Sequence, residues 1–126
     1  MTDQNWPHFK ESELACRFSG SCNMDSSFMD KLEMLRERFG KPMRLSSAFR
    51  HADHPAEKSK IAKGKNPGWH SKGRAVDVLV SGTDAWQLVR YATEMGLSVG
   101  INQRGPHENR FIHCDDRPSP QMIWSY

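Results

Sequence analysis

The segment Arg74-Ala-Val-Asp-Val-Leu-Val80 constrains the fold more than any other stretch. It is a short apolar run rich in β-branched residues, ended by Ser81-Gly82, with a carboxylate at its centre. Such a run reads as a buried strand. An ionised Asp77 inside it is costly unless it is paired with a positive group or bound to a cation. Two explanations stand at this level: an ion pair with Arg74 or Arg50, or a metal site.

Other segments supply the partners that such a strand requires. Asp25 or Ser26 caps a helix in which Phe28, Leu32, Leu35 and Phe39 recur at helical spacing, and Gly40 with Pro42 stops it. Thr83 caps a second helix, with Trp86, Leu88, Val89, Ala92 and Met95 on or near its buried face and Gly96 at its end. Met43 to Phe49 reads as a strand in which Met43, Leu45, Ser47 and Phe49 share one side and Arg44, Ser46 and Ala48 the other. Leu97 to Ile101, Arg110 to Asp115 and Met122 to Trp124 are further strands, the last at an edge. Residues 1–23 read as irregular, with a turn of helix near Glu11 to Cys16. Residues 51–69 read as a polar surface loop, helical over Pro55 to Ala62, in which Lys58, Lys60, Lys63 and Lys65, with nearby Lys72, form a solvated face. The expected architecture is α+β: a small, mostly antiparallel sheet with helices packed on it, in one domain across residues 1–126.

Composition removes several functional classes. At 126 residues and 37% hydrophobic, the chain can bury one core without staples. No apolar stretch approaches the ~20 residues that span a bilayer, so no membrane insertion is expected. The start, MTDQNWPHFKESEL, has neither a basic nor an apolar region of a signal peptide. A net charge of +3 favours polyanionic partners, but no zinc-finger spacing or base-stacking motif accompanies it, and nucleic acid is set aside. Cys16, Cys22 and Cys114 read as reduced packing residues, Cys114 on the strand face opposite its neighbours His113 and Asp115.

The remaining chemistry gathers around Asp77. His70 stands at the end of a loop seven residues before it, and His113 and Asp115 share one face of another strand. A lone histidine in a strand is more often structural than a ligand. If the two strands lie side by side, however, His70, Asp77 and His113 converge as three ligands with a fourth position open, which is the arrangement of catalytic zinc. His8, His51 and His54 read as surface residues, whereas His107, in the turn leading to His113, is placed to line a site.

Ser47-Ala-Phe-Arg50, the His70 to Asp77 segment, Phe111-Ile-His-Cys-Asp115 and the ending Arg117-Pro118 with Trp124-Ser-Tyr126 carry a resemblance over residues 28–126. In order and spacing they resemble the zinc D-Ala-D-Ala carboxypeptidase and L-alanyl-D-glutamate endopeptidase family, which shares its fold with the hedgehog signalling domain. A short chain of this kind is similar to the phage endolysins of that family. The resemblance implies Zn2+ on His70, Asp77 and His113, and substrate contact by Arg50 with Ser47 and His107. It also implies a peptidoglycan peptide as substrate, a monomer, and a protein held in the cytoplasm until it is released to the cell wall. Several relatives carry Glu three residues before the last zinc-binding His, where this chain has Arg110. Asp115 is therefore the expected general base, with Glu108 and His107 as alternatives and with a purely orienting role for Asp115 also open. A zinc domain that binds wall or protein without cutting is the rival reading.

Overall fold

In the computed structural model, which describes residues 6–51, 54–63 and 68–126, the elements follow one another as helix α1 (Glu11–Leu14), helix α2 (Ser26–Phe39), strand β1 (Leu45–Ser47), helix α3 (Pro55–Ala62), strand β2 (Ala75–Leu79), helix α4 (Gly82–Glu94), strand β3 (Ser98–Asn102), a 3-10 turn (His107–Asn109), strand β4 (Phe111–Asp115) and strand β5 (Ile123–Ser125). The sheet has the order β1-β2-β4-β3-β5, and only the β3–β5 pair is parallel. This is the α+β arrangement expected from the sequence, with α1 and α3 as full elements beside the two longer helices.

Helix α2 begins where Asp25 accepts the Phe28 backbone N–H (2.9 Å) and ends on left-handed Gly40 (φ 74°). Its buried stripe is Phe28, Met29, Leu32, Leu35 and Phe39. Helix α4 starts two residues earlier than the Thr83 cap predicted: Gly82 is its first residue and Ser81 the N-cap. Ala85, Leu88 and Ala92 face inward at helical spacing, which turns Trp86 out to 64% exposure rather than onto the core. Val76 and Val78 of β2, Val99 of β3, and Ile112 and Cys114 of β4 join these helical residues in one apolar cluster. Trp6, Phe9, Leu14 and Cys16 belong to it too, so the segment read as irregular contributes to the core. All three cysteines are free, and burial pushes the Cys114 thiol well above its usual range.

Strand β1 departs from the expected alternation. Leu45 pairs with Val78 but Ser47 pairs with Asp77, so one extra residue is accommodated between them. That irregularity moves Ser47 from the core side, where simple alternation put it beside Leu45, to the face carrying Asp77. Ala48 and Phe49 are then both buried. Among the described residues no helix is long and apolar enough to cross a membrane.

Gly73 closes the turn that leads into β2. It has φ +70°, and a Cβ there would lie 2.2 Å from the Asn23 carbonyl oxygen and 2.8 Å from the Asp25 nitrogen. The Gly73 carbonyl also accepts the Asp25 N–H (2.9 Å), so this turn and the start of α2 are built against one another. Gly73→Ala is expected to cost about 3 kcal/mol through φ strain and a backbone collision that no side-chain shift relieves. Urea unfolding measures it; a midpoint equal to that of the unaltered chain would contradict the packing described.

Candidate metal centre

Asp77 and His113 stand directly opposite each other in the β2–β4 ladder. The ladder therefore puts both side chains on the sheet face away from the apolar cluster. His70 arrives from the turn before β2, where its carbonyl accepts the Arg50 N–H (3.1 Å) and the Gly73 N–H (3.2 Å). The three ligand atoms that these residues offer lie within 4.8 Å of one another, and all three residues are buried. The ion pairs open to Asp77 at the sequence level resolve against a simple pairing. Arg74 binds Asp116 instead (Nε to Oδ1, 2.7 Å), and the nearest Arg50 nitrogen is 3.9 Å from Asp77 Oδ2.

Hydrogen bonds behind the imidazoles fix what faces the centre. His70 Nδ1 is 2.8 Å from the Ala48 carbonyl oxygen, which can only accept, so Nδ1 carries the proton and the Nε2 lone pair faces Asp77 Oδ1 at 3.3 Å. His113 Nε2 is 2.7 Å from Asp115 Oδ2, and donation there leaves Nδ1 facing the same Asp77 oxygen at 3.0 Å. Two imidazole acceptors thus converge on one carboxylate oxygen, an arrangement that requires either an added proton or a cation. Burial lowers the His113 pKa, but the Asp115 and Asp77 carboxylates outweigh it and raise it. Burial likewise opposes ionisation of Asp77, and the His113 and His70 rings more than offset this, holding its carboxyl far below the usual range. Two nitrogens and one carboxylate oxygen suit zinc, whose tetrahedral ligands at ~2.0 Å stand about 3.3 Å apart. The donor set fits the ion.

Asp115 has no exposed surface, and Arg117 grips it through Nε to Oδ1 (2.9 Å), Nη2 to Oδ2 (2.7 Å) and its backbone N–H to Oδ1 (3.1 Å). Against the desolvation of burial, the His113 and Arg117 bonds bring its pKa to about 2. A carboxylate so held is a weak proton acceptor, so the geometry favours the orienting role that the sequence left open over the general-base role. The other candidates are elsewhere. His107 and Glu108 line a separate cleft of about 410 Å³ with Arg44, Leu79 and Ser81, and His107 Nδ1 lies 3.2 Å from Ser81 Oγ. The 3-10 turn precedes Phe111, which pairs with Leu79 at the end of β2, so it lies beyond that end of the ladder from His113.

The three donors open into a cavity of about 470 Å³ walled by Trp69, Phe111, Trp124 and Tyr126, with Arg50, Lys60 and Arg117 as its cations. Of the three expected substrate residues, Arg50 lines this cavity, Ser47 accepts from Arg50 Nη2 on its Oγ (3.1 Å), and His107 lines the separate cleft. Trp124 tilts against His113, ring centres 5.2 Å apart, with the Arg117 guanidinium 4.8 Å from the indole. Gly100, opposite both His113 and Trp124 in the sheet, makes that approach possible, because a Cβ there would lie 2.5 Å from the indole. Gly100→Ala is expected to push Trp124 off His113 and to lower zinc affinity about tenfold, within the range for residues supporting a ligand. Competition with a chromogenic chelator reads this; unchanged affinity would show that the indole does not support His113.

Sequence reading missed Gly100 and, above all, Glu57, placed in the loop read as a solvated lysine face. Glu57 is fully buried on α3 and accepts from Arg50, Lys60 and the Gly68 N–H. Its one sequence signal is an acid among lysines at the start of a helix. His54 opens that helix by accepting the Ala56 N–H on its ring (3.1 Å). Lys60 lines the metal cavity, Lys72 lies over the Trp69 ring (4.4 Å), and Lys65 falls outside the described residues.

An α+β sheet that presents two histidines and an aspartate on the floor of an open cleft is the framework of a metal centre open to a substrate. Family comparison agrees: the family model for Peptidase M15 matches residues 7–115, and the chain belongs to this family of zinc-dependent peptidases. The matched span takes in the N-terminal segment that packs into the core. No curated protein and no solved structure matches the chain.

Proposed function

We propose that this chain hydrolyses a peptide bond in the stem or cross-bridge peptides of bacterial peptidoglycan, acting as a lytic enzyme of the phage endolysin kind, with zinc held by His70, Asp77 and His113. The observation that carries this reading is the pairing of that donor set with a cleft that is open, aromatic and cationic. When bound, zinc supplies Lewis acidity toward a carbonyl group and toward water.

The chain's own residues do the rest. Ala48 binds His70 Nδ1 and Asp115 binds His113 Nε2, so the other ring nitrogen of each is aimed at the centre before any ion arrives. Arg50 turns Nη2 toward the cleft, where a guanidinium can receive a substrate carboxylate or the negative charge developing on a carbonyl oxygen. Trp69, Trp124 and Tyr126 give flat apolar walls to a peptide backbone, and Lys60 and Arg117 suit a substrate bearing carboxylates, as peptidoglycan peptides do. A monomer acting on an anionic wall accords with the net charge of +3.

One observation favours a second reading, a zinc domain that holds wall peptides without cutting them. Glu57, Asp77 and Asp115, the carboxylates at or behind the cleft among the described residues, are all engaged by cations or imidazoles. Incubating the zinc-loaded protein with defined peptidoglycan fragments, with and without chelator, and weighing the products by mass spectrometry separates the two. Chelator-sensitive release of one fragment is expected and identifies the bond. Binding of the same fragments with no product would establish the second reading instead.

A further inference from the structure

Glu57 has a position that the metal centre does not explain. It is a carboxylate with no exposed surface, on a helix whose other described side chains are mostly exposed, and its polar partners among the described residues are Arg50, Lys60 and Gly68 rather than the ligands of the centre. Its two oxygens have separate duties. Oε1 accepts the Gly68 N–H at 2.6 Å, two residues before the ligand His70. Oε2 accepts Arg50 Nη1 at 3.1 Å and Lys60 Nζ at 3.0 Å. Arg50 is thereby held by one edge while its other terminal nitrogen, Nη2, lies 3.1 Å from Ser47 Oγ and 3.9 Å from Asp77 Oδ2.

A guanidinium on a flexible stem samples many rotamers, and ordering it carries an entropic cost. A buried carboxylate that binds the far edge removes that freedom before substrate arrives, which is how electrostatic groups gain most in a transition state. Burial works against the Glu57 charge, yet Gly68, Lys60 and Arg50 more than offset it and hold its pKa at about 2, so the carboxylate is ionised near neutral pH. The same carboxylate draws Lys60 to the rim of the cavity that Arg50 lines.

We infer that Glu57 is a positioning residue that aims Arg50 across the metal cleft from behind, an assignment that rests on the peptidase reading above. The alternative is a staple that only ties α3 to the loop before His70. A staple would act on stability and on the loop whatever residue stands at position 50; an anchor for Arg50 acts through Arg50 alone.

The test is a double-mutant cycle on the peptidoglycan fragment that the unaltered, zinc-loaded chain cleaves, using Glu57→Gln, Arg50→Ala and the pair. Glu57→Gln is expected to lower kcat about tenfold or more with KM changed less than about threefold, and to add less than about twofold in the Arg50→Ala background. Zinc content should stay at that of the unaltered chain. In the zinc-free protein, the Arg50 Nε–H NMR signal should be sharp and protected, and should broaden or shift in Glu57→Gln. If Glu57→Gln does not fold, Glu57→Asp keeps the buried charge one methylene short of Arg50 and should show the same split in smaller degree. Equal losses with and without Arg50, or an unmoved Arg50 signal, would overturn the inference while leaving the peptidase intact. No turnover by the unaltered chain would overturn the peptidase reading itself, and the inference with it.

Discussion

Asp77→Asn should lose zinc and cleavage together while the fold survives. The substitution is nearly isosteric but removes the only negative charge in the donor set, and the oxygen it weakens is the one that both imidazoles face, at 3.0 Å and 3.3 Å. Supporting residues outside a ligand set already cost 10- to 100-fold in affinity when altered, so loss of the charged ligand should exceed about 100-fold. Zinc content after dialysis and chelator competition measure this directly. Above the imidazole titration range, the chelated variant should unfold in urea no earlier than the chelated parent. There, the Asn amide can donate to one of the two lone pairs that converge on the carboxylate of the parent. Stoichiometric zinc with full cleavage by Asp77→Asn would remove Asp77 from the centre.

Arg50→Ala should do the reverse, keeping zinc and losing turnover. Arg50 stands 3.9 Å from Asp77 Oδ2 and outside the three-residue donor group, so the ion should be retained. Removing a donor aimed at developing negative charge typically costs about 10²- to 10³-fold in kcat, and that is the expected loss here. The substitution also leaves Glu57 with one cation fewer in a buried setting, at an expected cost of about 1–3 kcal/mol. Arg50→Lys separates the two effects, because it keeps a positive charge near Glu57 but lacks the planar fork that reaches Glu57, Ser47 and the cleft at once. Unchanged kcat in a folded, zinc-loaded Arg50→Ala protein would exclude Arg50 from the chemistry.

Much of the site could be read from local pattern because its residues lie on short strands with a period of two. Asp77 in an apolar run and His113 in another are anomalies visible without coordinates, and the antiparallel pairing on which their convergence depended makes them neighbours. Helix α2 was equally legible, since its cap, its apolar stripe and its terminal glycine all agree. The failures arise where the third dimension overrides the local pattern. Trp86 looked like a core residue on an amphipathic helix, but Ala85, Leu88 and Ala92 define a narrower stripe and leave it in solvent. Ser47 reached the site because β1 slips register by one residue, a change that alternation by itself does not foresee. His107 was close in sequence to His113 yet belongs to another cleft.

By itself the sequence determined the class of sheet and the two long helices, and it marked His70, Asp77 and His113 as residues that meet if their strands pair. Each of these follows from spacing along the chain and from the cost of burying a charge. Only the tertiary structure decided the roles of the groups around that centre. Arg117 binds both oxygens of Asp115, one of which also meets His113, and Glu57 is buried against Arg50 instead of lying on the solvated loop face that was expected. The physical reason is the same in both cases. A carboxylate's chemistry depends on which donors surround it, and those donors come from segments whose approach no local periodicity records.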